Sequence, residues 1–124
     1  MSHNGLNLYD AHECMEAILS LPRRCQDMIF AGFVAEHEGK HQGIVAGFLI
    51  NGFYKYLQLK SPIEQIFAVG ADTVVYATGH KFEWASQYQI DTNGKTYYAD
   101  FLIFNPRTNK NVLVECDGHD FHEL

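Results

Sequence analysis

Residues 87–119 read QYQIDTNGKTYYADFLIFNPRTNKNVLVECDGH. Side-chain character in this stretch changes with a period of two, the period of a strand. Residues 87–90 spell a short strand. Asp91-Thr-Asn-Gly94 then supplies a turn, Asn-Gly being the strongest short-range hairpin signal. Residues 95–104 form a second, aromatic-rich strand, and residues 105–111 a second turn around Pro106. Residues 112–116 form a third strand. Val112, Leu113 and Val114 are apolar on both faces, which predicts a central position in the sheet.

Two carboxylates interrupt these patterns. Asp100 lies within the aromatic strand and Glu115 at the end of the apolar one. An ionised carboxylate in such a place is costly unless it is paired, hydrogen-bonded or bound to metal. In a meander the two strands are neighbours, which brings the two acids near each other. Asp117 follows Glu115 by two and on an ideal strand shares its face. Three acids converging at one sheet edge make an all-oxygen site, suited to Mg²⁺ or Mn²⁺ rather than Zn²⁺.

Upstream the period changes to that of a helix. Residues 1–60 read as helical. Asp10 and Glu13 have capping-box spacing, and Cys14, Met15, Ile18 and Leu19 recur at helical intervals until Leu21-Pro22. Residues 23–37 carry a second stripe through Met28, Ile29, Gly32, Phe33 and Glu36. A Gly-punctuated polar stretch connects it to residues 44–59, apolar nearly all round, which predicts one helix buried on several sides. Ser61-Pro62-Ile63-Glu64 places Ser at the N-cap, Pro at N1 and Glu at N3, a sharp helix start. That helix passes through Ile66, Phe67 and Val69; residues 73–78 fit either its continuation or a short strand.

The chain has 124 residues, 47% hydrophobic and 19% charged. That is enough apolar material for one compact domain and excludes intrinsic disorder. Fifteen acids against nine Lys and Arg give a net charge of −6, which excludes a histone-like polyanion binder. Cys14, Cys25 and Cys116 form no CxxC and too few pairs for a disulfide scaffold. No signal-peptide pattern and no bilayer-length apolar run is legible, so the expected setting is soluble and cytoplasmic, with no membrane partner.

The segments Tyr98-Ala-Asp-Phe-Leu-Ile103 and Val112-Leu-Val-Glu-Cys-Asp-Gly-His119 together resemble the core of PD-(D/E)XK nucleases. They are most similar to the branch holding very-short-patch-repair endonucleases and small restriction-endonuclease-like domains, with an E-x-D-G…H signature. The Ser61-Pro62-x-Glu64 helix resembles that branch's first core helix. The resemblance spans roughly residues 61–122 and implies a particular set of roles. Asp100 and Glu115 would be metal ligands, with the Cys116 backbone carbonyl completing the shell. Glu64 would bind the metal directly or through water. Asp117 stands where the family name expects Lys, and His119 or His122 would orient or deprotonate the attacking water or protonate the leaving oxygen. The chemistry would be hydrolysis of DNA phosphodiesters with Mg²⁺ or Mn²⁺. The family core normally continues with a helix and further strands, so the resemblance implies a chain truncated at its C-terminus, completed by a homo-oligomer or a partner.

Each of these residues also has a plainer explanation. Asp100 fits an edge-strand acid facing water, Asp117-Gly118 an ordinary turn, and Glu64 a helix cap. His119 and His122 fit solvated chain-end residues, and Cys116 a core hydrophobe. Arg107 and Lys110, together in the second turn and expected beside the acids, are a weak anionic-ligand footprint. The expectation is an α/β (α+β) domain with a small mixed sheet flanked by helices, residues 1–60 forming an added helical segment on a core of residues 61–124. Its function would be a metal-dependent endonuclease, or else an inactive nuclease-fold module for binding or assembly. A small-molecule binding domain built on the aromatic residues is a further alternative.

Overall fold

The computed structural model describes residues 2–3, 6–7, 11–41, 43–49 and 53–116. The elements in chain order are β1 (Ser2–His3), β2 (Leu6–Asn7), α1 (Ala11–Leu19), α2 (Arg23–His37), α3 (Ile44–Gly47), α4 (Phe53–Leu57), α5 (Pro62–Thr78), β3 (Glu83–Thr92), β4 (Lys95–Asn105) and β5 (Lys110–Val114). The protein is α+β. Packing divides it into two compact units, Met1–His80 and Lys81–Leu124. The division falls after His80 rather than at residue 60, because α5 packs with the other helices.

In the helical unit, Ser61 caps α5 by accepting the Glu64 backbone N–H at 3.3 Å, with Pro62 in the first turn. Residues 73–78 continue α5, and Gly79 ends it in the left-handed conformation, its N–H bonded to the Val75 carbonyl at 2.9 Å. On α2 the buried stripe is Cys25, Ile29 and Gly32. On α1 it is Ala17 and Ile18, while Met15 and Leu19 are exposed. Asp10 lies outside the described residues. β1 and β2 pair antiparallel, so residues 2–3 and 6–7 are strand where a helical segment was expected.

The single helix expected over residues 44–59 is instead two short ones, α3 and α4. Gly47, Asn51 and Gly52 are poor helix formers in that run. Its buried residues, Ile44, Phe48, Phe53 and Tyr56, are all fully covered. Phe48 stands edge-on to Tyr76 of α5, to Tyr56 and to Phe33 of α2, at centroid distances of 5.3, 6.5 and 6.3 Å. Two glycines make this closeness possible. A Cβ on Gly47 would lie 2.4 Å from Tyr76 Cζ, and one on Gly32 would meet Ile44 Cδ1 at 2.7 Å. Glu36 of α2 accepts the Val45 N–H at 2.7 Å and so ties α2 to the start of α3.

The sheet unit is a three-stranded meander in the order β3-β4-β5. Both ladders are antiparallel, where a mixed sheet was expected. Asn93 and Gly94 both have positive φ at the first turn, as an Asn-Gly hairpin requires. β4 is the middle strand. β5 lies at an edge, and its Val112 and Leu113 are 59% and 52% exposed. The expectation of a central third strand therefore fails: a five-residue strand paired on one side covers neither face, whatever its hydrophobicity. Ala99 and Phe101 of β4 are buried, and Trp84 of β3 meets Phe101 edge-on at 5.5 Å.

Candidate functional site

The β4–β5 ladder runs from Asn105↔Lys110 to Phe101↔Val114. One step further along that register brings Asp100 opposite Glu115, on the same face of the sheet, with Cβ atoms about 5 Å apart for a directly opposed pair. Asp100 is half-buried and Glu115 exposed. The burial expected for Glu115 does not occur, because β5 is an edge strand.

Asp100 is held in place. Its Oδ2 accepts the backbone N–H of Cys116 at 2.7 Å, which keeps the chain alongside β4 beyond the last ladder pair. Oδ1 carries no further hydrogen bond among the described residues. Cys116 is half-buried and takes part in no disulfide among the described residues. Like charges directly opposed on one sheet face destabilise it, and a bound cation offsets that repulsion.

Of the sequence-derived residues, Asp100 and Cys116 are joined by the 2.7 Å hydrogen bond, and Glu115 adjoins Cys116 in the chain. Asp117, His119 and His122 lie outside the described residues. Glu64 belongs to the helical unit, where it is buried and its Oε1 accepts the Lys60 backbone N–H at 3.1 Å. Together with the Ser61–Glu64 bond, this is a reciprocal cap one residue longer than a standard capping box. Among the described residues no group of three or more His, Cys, Asp and Glu is placed to hold a metal ion.

Arg107 and Lys110 do not flank the acids. The β4–β5 turn joins Asn105 to Lys110, and the acids straddle the opposite, open end of the ladder. Five strand residues separate the two ends, about 17 Å. An antiparallel hairpin puts its turn and its open end as far apart as its length allows. A hollow of about 370 Å³ lined by Asp91–Thr96 sits at the other hairpin, around its turn. There the Thr96 hydroxyl and the Gln89 amide donate to Asp91 and hold its pKa below the usual carboxylate value.

A residue with no sequence signal adjoins the site. The β3–β4 ladder steps from Ser86↔Phe101 to Tyr88↔Ala99, so Gln87 faces Asp100 without joining the ladder. Gln87 has a φ of 52°. The other described non-glycine residues with positive φ are Asn93 and Asn109, both asparagines in turns. Gln carries no such preference, so only the backbone reveals this position.

No protein-family model, curated protein or solved structure matches the chain.

Among the described residues, no helix is long and apolar enough to cross a membrane.

Proposed function

We propose that the chain is a metal-dependent nuclease-like domain acting on DNA phosphodiesters. The opposition of Asp100 and Glu115 across β4 and β5 carries this reading. Two carboxylates on one face, one of them oriented by a backbone N–H, are a poor arrangement without a cation and a suitable one with it.

The donor set fits the metal. Asp100, Glu115 and the Cys116 carbonyl offer only hard oxygens, and Mg²⁺ is commonly held by one or two carboxylates while keeping several waters. Bound there, the ion would polarise a phosphate oxygen and lower the pKa of a coordinated water. The chain's own contribution is to hold Asp100 through Cys116 and to present Glu115 on the same face. In this reading Asp117 extends the acidic set, and His119 or His122 handles the proton of the attacking water or of the leaving oxygen. Glu64 is assigned to the helix cap.

The test is cleavage of plasmid and single-stranded DNA with Mg²⁺ or Mn²⁺, alongside Asp100→Asn and Glu115→Gln. Metal-dependent cutting abolished by both substitutions supports the proposal. No cutting by a folded wild-type chain refutes it.

A second reading is an assembly module without turnover. The exposed apolar edge of β5 favours it, because an uncovered strand edge is a template for pairing with another chain. Sedimentation over a range of concentrations distinguishes this reading, since a chain that stays monomeric throughout excludes self-pairing.

A further inference from the structure

We propose that β5 pairs antiparallel with β5 of a second copy of this chain, about a two-fold axis at Leu113. This rests on the assembly reading and gives it a partner and a register. Among the described residues β5 pairs with β4 alone, and its Val112 and Leu113 are 59% and 52% exposed. Natural edge strands are blunted by Pro, by bulges or by charge. Residues 110–114 hold no Pro, none has a positive φ, and the charge is confined to Lys110 at the start. The other edge differs, because left-handed Gln87 breaks the regular repeat of β3. An incoming strand meets an unbroken row of backbone groups on β5 and a broken one on β3.

The side chains of β5 also fit their own copy. In a two-fold interface residue i meets j and j meets i. Directly opposed residues share a face, and faces alternate along the strand, so i and j are both odd or both even. With the axis at Leu113, Val112 meets Val114 of the partner subunit and Glu115 meets Asn111 of the partner subunit. Apolar groups oppose apolar ones, and an amide opposes the carboxylate. With the axis at Val112, Asn111 would oppose Leu113 of the partner subunit. With the axis at Val114, Leu113 would oppose Glu115 of the partner subunit, and with the axis at Glu115 two carboxylates would meet, which is destabilising. The Leu113 register therefore brings a residue of the second copy, the partner's Asn111, to the Asp100–Glu115 end, about 5 Å from Glu115 between Cβ atoms.

The experiment is sedimentation equilibrium of the full chain from micromolar to millimolar concentration, as wild type, Leu113→Lys, Asn111→Lys and Asn111→Asp. Leu113→Lys sets two ammonium groups across the axis and is expected to abolish the dimer. Asn111→Lys sets a cation opposite Glu115 of the partner subunit and is expected to tighten it. Asn111→Asp sets an acid there and is expected to weaken it. Each Asn111 change acts twice in a symmetric dimer, so the shift in Kd should be about 2- to 30-fold. Asn111 is exposed and opposes Phe104 within its own chain, so these two variants decide the matter if Leu113→Lys does not fold.

Opposite shifts for Asn111→Lys and Asn111→Asp support the register. Shifts of the same sign, or a dimer that no variant alters, overturn it and leave the assembly reading standing. A wild-type chain that stays monomeric throughout overturns both.

Discussion

The carboxylate of Asp100 accepts the backbone N–H of Cys116 at 2.7 Å, across the open end of the β4–β5 hairpin. The bond continues the strand pairing past Val114 and fixes an acid where the sheet's regular hydrogen bonds end. It separates two roles, orientation and charge, that substitution can test one at a time.

Asp100→Asn retains an acceptor oxygen for Cys116 and removes the charge. Its stability should stay within about 1 kcal/mol of wild type, while divalent-ion binding is lost. Asp100→Ala removes the acceptor as well and should cost about 1–3 kcal/mol. Urea unfolding of the two variants measures the difference; equal stabilities would show that the Cys116 bond contributes nothing.

Glu115→Gln relieves the repulsion across the ladder. Without divalent cations it should raise stability by about 0.2–1 kcal/mol. In wild type, saturating Mg²⁺ or Mn²⁺ should raise the melting temperature, since a ligand that binds only the folded state stabilises it. In Glu115→Gln that increment should shrink. Melting curves with and without metal read both effects, and a metal response equal in the two proteins would place the ion elsewhere.

Gly47→Ala should be among the most damaging single-methyl changes in the helical unit. The new Cβ has no room beside the Tyr76 ring, so the Tyr76 side chain, α3 or α5 must move. Overpacking of this kind costs about 1–3 kcal/mol. A substitution tolerated within about 0.5 kcal/mol would contradict the close approach of α3 to Tyr76.

Alkaline pH should unfold the helical unit through two buried acids. The Tyr56 hydroxyl donates to Asp72 Oδ2 at 2.5 Å, and burial together with that negative neighbour raises its pKa far above the ordinary tyrosine value. Burial also pushes the Cys25 thiol up to about 11. Both groups hold their protons more tightly when folded. The stability linked to them is therefore fully present below the unfolded pKa values, about 8.5 for Cys and 10 for Tyr, and is lost as pH rises above them. Between about pH 9 and 11 the slope should approach 1.4 kcal/mol per pH unit for Cys25 alone. Denaturation of Cys25→Ala and Tyr56→Phe across that range checks this: each should flatten the slope in its own window, and unchanged slopes would mean other groups titrate.

The sheet was legible because its signals are local. Asn93-Gly94 and the Pro106 turn mark the hairpins, and the alternation of residues 95–104 marks the strand between them. The same holds for α5, where Ser61, Pro62 and Glu64 meet the hydrogen-bonding needs of a helix start from neighbouring residues alone. The order of the strands that carry Asp100 and Glu115 was also readable, because a meander with short turns has few possible registers. Less was readable where local pattern and burial part company. Val112-Leu-Val114 looks central by hydrophobicity, and nothing in five residues says which strand will lie beside it.

The amino-acid sequence thus determined the α5 cap and the hairpin turns of the sheet, since each depends on contacts between residues near in the chain or joined by a tight turn. Tertiary structure alone decided that β5 is an edge and that the basic turn residues stand at the far end from the acids. It alone put a left-handed Gln87 opposite Asp100. These depend on which segments meet in space and on a backbone angle that Gln does not announce.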